Sequence, residues 1–105
     1  MADFDPEKFE DKYVHYFPEL QRAYKNAFNT MNEEFDSTLI HGIDQQILNE
    51  SEPVYEEGEF RILLPENPRQ RLTGVVVDDE KLDATLDRYT EEIRSELRRV
   101  FGLNS

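Results

Sequence analysis

Six apolar residues toward the C-terminal end, Leu82, Leu86, Tyr89, Ile93, Leu97 and Val100, recur at steps of four and three. That spacing puts them on one face of an α-helix, and a helix with one apolar face has to bury it. Asp78 is placed to cap this helix, Val77 and Leu82 stand at the two staple positions, and Gly102 stops it. The repeat lasts under three heptads, short of what a coiled coil needs. The face is therefore expected to pack on the chain's own remaining elements.

Those elements read as helical first. Asp5 suits an N-cap, Pro6 the first helical position, and Phe4 with Phe9 a staple. Phe9, Tyr13 and Phe17 repeat at four-residue spacing and are expected on one apolar face. Tyr16 is off that face, so it is expected to point towards a second layer or a partner. Pro18 lacks an N–H, which predicts a break near Phe17 and a second helix from Pro18. A single kinked helix is the alternative. The second helix carries Leu20, Tyr24, Ala27, Phe28, Met31 and Phe35. Asp36 caps a third, with Phe35 and Ile40 as staple and Leu39, Ile40, Ile43, Ile47 and Leu48 as its stripe. It is expected to end around residues 49–51, before Pro53.

A short β section follows. Val54-Tyr55 and residues 60–64 flank Glu57-Gly58, a tight-turn pair. Residues 72–77 end in the β-branched run Val75-Val76-Val77 and read as a further strand, joined by an irregular link over residues 65–71. The expected class is α+β: three N-terminal helices, a small antiparallel hairpin sheet of up to three strands, and a long C-terminal amphipathic helix. Residues 1–105 are enough for one domain.

Charge bears on where such a domain works. The chain carries 24 acidic residues against 12 basic, a net −12, and only four of the basic ones are Lys. Self-repulsion of that size opposes a compact state, and salt relieves it, because the Debye length falls from about 10 Å at 0.1 M to about 3 Å at 1 M. The composition fits a molar-salt cytoplasm. There is no cysteine, so no disulfide framework is possible. The start, Met1-Ala2-Asp3-Phe4-Asp5, is acidic where a secretory signal is basic and then apolar, and no apolar run is long enough to span a membrane.

Motifs with chemistry in them are lacking. His41 and Asp44 share a helix face, and His15 sits among aromatics, but neither belongs to a metal-ligand pattern. Asp78-Asp79-Glu80 has no EF-hand spacing and reads as a helix start. Ser37, Ser51 and Ser95 lie in no nucleophile-elbow context, and the four glycines form no phosphate loop. No catalytic residue, cofactor or metal is expected. One loop breaks the acidity: Asn67-Pro68-Arg69-Gln70-Arg71 is net basic. Arg69 and Arg71, with Tyr16, are the candidate interaction residues, a salt-bridged loop being the plainer account of the arginines. A nucleic-acid surface would need Arg61, Arg69 and Arg71 on one face with Arg94, Arg98 and Arg99.

Three stretches, residues 3–14 (DFDPEKFEDKYV), 44–53 (DQQILNESEP) and 72–79 (LTGVVVDD), resemble a family of small acidic haloarchaeal proteins of unknown function. The resemblance spans nearly the whole chain and implies a halophilic, cytoplasmic protein. It implies no activity. The leading expectation is a non-enzymatic interaction module whose partner is a protein, including a second copy of itself. A small ligand-binding domain or enzyme with a histidine-containing pocket is one alternative. A nucleic-acid-associated accessory is the other, disfavoured by the net charge.

Overall fold

In the computed structural model, residues 4–103 are described; residues 1–3 and 104–105 lie outside them. In chain order the elements are α1 (Pro6–Phe9), α2 (Lys12–His15), α3 (Phe17–Glu34), α4 (Ser37–Gln46), a 3₁₀ turn (Leu48–Glu50), β1 (Glu52–Glu56), β2 (Glu59–Leu63), α5 (Pro68–Arg71) and α6 (Asp79–Val100).

The local signals account for most of these boundaries. Three aspartates cap as expected: Asp5 accepts from the Glu7 N–H, Asp36 from Thr38 and Asp78 from Lys81. Each satisfies a donor that the first helical turn leaves free. Glu57 and Gly58 both have positive φ, 52° and 79°, the left-handed pair of a two-residue type I′ turn. The turn sets the register Glu56↔Glu59, Tyr55↔Phe60, Val54↔Arg61, Pro53↔Ile62 and Glu52↔Leu63. The pair next to such a turn exchanges hydrogen bonds and the next pair does not. Phe60 and Pro53 are thus at positions whose backbone groups point away from the ladder. The Phe60 carbonyl accepts from Arg94 Nε at 2.7 Å, and Pro53 has no N–H to leave unpaired.

α3 and α6 form the central layer. They run antiparallel, since Asn26 reaches Glu96 and Arg88 reaches Glu34. Ala23, Ala27 and Met31 of α3 and Leu86, Tyr89, Ile93 and Leu97 of α6 are buried in one core with Leu39, Ile40, Ile43 and Ile47. Glu96 is buried there too, held by Asn26 Nδ2 at 3.2 Å and Arg99 at 3.1 Å. At the C-terminal end of α6 six rings pack together: Phe4, Phe9, Tyr16, Tyr55, Phe60 and Phe101. Their contacting centroids lie 4.8–6.2 Å apart, within the range of favourable aromatic pairs.

Two expectations fail here. Residues 72–77 form no strand, so the sheet has two strands. They run instead as a strap over α4. A Cβ on Gly42 would meet Leu72 Cδ1 at 2.9 Å and Val75 Cγ2 at 3.1 Å, so the bare glycine is what lets the strap lie down. Gln46 then takes both backbone groups of Thr73, its Oε1 accepting the N–H at 2.8 Å and its Nε2 donating to the carbonyl at 3.0 Å. Those are the groups that Thr73 would have offered to a neighbouring strand. The link over residues 65–71 is also not wholly irregular, since it contains the single-turn helix α5, which starts at Pro68.

Candidate functional site

A third correction bears on the candidate site. The chain breaks at Glu10-Asp11, so the first helix is two four-residue pieces, and the four-residue repeat of Phe9, Tyr13 and Phe17 is not kept in register. Tyr16 swings into the core, 6 % exposed, its hydroxyl accepting the Asp5 N–H at 3.0 Å. Tyr13, Val14 and Phe17 swing out, 57 %, 80 % and 46 % exposed. Phe9 is buried as the spacing predicts, whereas Tyr16 has changed places with Tyr13 and Phe17. Asp is a poor interior helix residue and a good terminus, and Asp11 was the available signal.

Lys12 makes the break worthwhile. Its side chain is buried, and Nζ reaches Glu52 Oε1 at 3.2 Å. Nζ also lies 5.4 Å from the Phe9 ring centroid and 5.3 Å from that of Tyr13, within cation–π range of both. The ion pair ties α2 to β1 and divides the groove between them.

On one side of it lies an apolar hollow of about 190 Å³, lined by Tyr13, Leu20, Gln21, Tyr24, Ser51 and Pro53. Tyr24 and Ser51 close its floor at 3.1 Å. Ser51 spends its own proton on the Leu48 carbonyl, so the Tyr24 hydroxyl is the donor. Burial pushes the Tyr24 phenol up to about 12, which keeps this wall of the hollow neutral. On the other side lies a larger recess of about 460 Å³ between α1 and β1. Glu7, Glu10, Glu52 and Glu56 line it, with Lys12 as the cation among them.

The basic loop is built differently. Arg69 grips Asp83 through two nitrogens and lies 3.8 Å from Asp79, both on the first turns of α6. Its hydrogen bond to Asp83 raises the guanidinium further and holds the Asp83 carboxyl below the usual range. Arg71 pairs with Glu50 and donates to the Glu66 carbonyl. Arg69 and Arg71 therefore anchor α5 to the body. Tyr16 is not near them: Asp83 and Phe101 are eighteen residues apart on α6, roughly 27 Å at ~1.5 Å per residue. The other arginines named for a nucleic-acid face also have carboxylate partners, Arg61 with Glu56 and Glu59, Arg94 and Arg98 with Glu91, and Arg99 with Glu96.

His15 and His41 are both exposed, His41 edge-on to Phe28 at 5.0 Å. Burial raises Asp44 above the usual carboxylate range, partly offset by His41. Among the described residues no group of three or more His, Asp or Glu is arranged to hold a metal, and no helix is long and apolar enough to cross a membrane.

Residues 1–104 match the model of a family described as a family of unknown function (DUF5783), and the chain belongs to that family. No curated protein and no solved structure matches it.

Proposed function

Starting from a family without an assigned activity, we propose that this chain is a non-enzymatic protein-binding module that docks its partner in the divided groove between α1–α3 and β1. The observation that carries this is the outward turn of Tyr13, which walls the apolar hollow, with Val14 and Phe17 of the same short stretch turned outward too. Large apolar groups exposed next to a hollow mark interaction surfaces. At about 190 Å³ the hollow itself is below the ~300–1,000 Å³ of small-molecule pockets, which supports a single side chain as what it holds.

The test is a photo-crosslinking residue at position 17, with one at exposed Lys25 as control, in cells of the native host. A discrete protein adduct from position 17 alone is expected. Equal labelling from both positions, or none from position 17, overturns the reading.

We propose further that the module works in a salt-rich cytoplasm. A net charge of −12 on 105 residues supports this, since salt removes the repulsion such a surface generates. The melting temperature is expected to climb steeply from low to molar KCl. A flat profile across that range refutes it.

A further inference from the structure

We propose that the groove takes a basic segment of another protein, an apolar side chain seated in the Tyr13–Leu20–Tyr24–Pro53 hollow and a Lys or Arg in the adjoining acidic recess. This rests on the docking reading above and adds the chemistry of the partner.

Three observations lead to it. The two recesses share one wall: β1 presents Pro53 to the hollow, and Glu52, Val54 and Glu56 to the acidic side. A single segment lying along β1 therefore meets both. The acidic side holds four carboxylates against one ammonium, and that ammonium is already paired with Glu52, so the surplus is negative. The exposed side chains of Glu7, Glu10 and Glu56 are the ones a cation would meet.

The spacing follows from strand geometry. Pro53 to Glu56 is three residues, roughly 10 Å at ~3.3 Å each. In an extended segment three positions span that distance, and two, roughly 7 Å, do so with the added reach of a Lys or Arg side chain. A second copy of the chain is the less suited occupant, because the recess asks for a cation in contact and seven of the chain's eight arginines already pair with its own carboxylates. At molar salt only ions in contact still attract strongly, so the anchor sets the affinity and the cation the selectivity.

The test is selection of an unbiased displayed library of nine-residue peptides on the full chain, followed by binding of the enriched peptides to variants by fluorescence anisotropy. Enrichment of an apolar residue with Lys or Arg two or three positions away is expected. Those peptides should bind the triple variant Glu7→Gln, Glu10→Gln, Glu56→Gln about tenfold more weakly. They should lose most binding to Tyr13→Ser, with circular dichroism confirming that both variants are folded. Enriched peptides that need Tyr13 but show no cation preference would overturn this inference and leave the docking reading standing. Peptides indifferent to Tyr13→Ser, or no enrichment over that variant, would remove both. A dimer in light scattering that Tyr13→Ser disperses would put a second copy in the groove instead.

Discussion

The two ends of α6 are held in opposite ways. Around Phe101, six rings close over one another, and the ion pairs there, Arg98–Glu91 and Arg99–Glu96, stay within α6 and fasten no other element to it. Around Asp79 and Asp83, α5 and the strap are fastened to the body by the exposed pairs of Arg69 and Arg71 and by the Gln46–Thr73 clamp. Apolar burial strengthens when salt is added and ion pairs weaken. One molecule thus carries a salt-hardened end and a salt-softened end. The difference teaches that stability in salt is not one quantity here: the whole fold and its strap are expected to respond with opposite sign.

Removing a ring should test the aromatic end most severely. Phe60 is 1 % exposed, so Phe60→Ala is expected to cost about 3–5 kcal/mol in denaturant melts at any KCl concentration. A loss under 1 kcal/mol would mean the rings are not the fastening.

Alkali gives the next largest effect. Tyr24 ionises near 12 when folded and near 10 when unfolded, so the unfolded state gives up the proton first. The stability tied to the neutral phenol is complete below pH 10 and drains away as pH rises through 12, by roughly 3 kcal/mol at about 1.4 kcal/mol per pKa unit. Tyr24→Phe should flatten that part of the profile. Tyr89, also raised by burial, extends the loss to higher pH. A wild-type curve unchanged up to pH 12 contradicts this.

At the strap, Gly42→Val forces its side chain against Leu72 and Val75. A cost of about 1–2 kcal/mol is expected, with faster amide exchange at Thr73 and none of that acceleration at Phe60. Spread of the effect to Phe60 would mean the two ends are one cooperative unit. Arg69→Gln should do least. It should lower the melting temperature slightly at low KCl and not at all at 1 M, where its exposed pair is screened. An unchanged deficit at 1 M KCl would show the pair to be more than a surface contact.

The sequence disclosed whatever is decided within a turn or two of chain. Asp5, Asp36 and Asp78 announced three caps, Glu57-Gly58 the hairpin, and the steps from Leu82 to Val100 the longest helix. Decisions that depend on a distant partner stayed hidden. The run Val75-Val76-Val77 has strand character, and only the bare surface at Gly42 diverts it. The break at Glu10-Asp11 follows from Lys12 reaching a carboxylate forty residues on. The match to a family of unknown function and the α+β arrangement agree with what the sequence implied, and the groove proposed for docking is lined by other residues than Arg69 and Arg71.

Two backbone details of the hairpin have a consequence for how anything is recognised. With the Phe60 carbonyl already claimed by Arg94 and no N–H on Pro53, neither flank of the ribbon offers an uninterrupted run of hydrogen-bonding groups. Growth by adding strands, the route by which small ribbons polymerise into fibres or capture extended peptides through their main chains, is discouraged at the first step. A visitor to β1 has to be known by its side chains. Main-chain recognition is indifferent to sequence and side-chain recognition is not, so a prolyl ring and one arginine bias this surface towards choosing among partners.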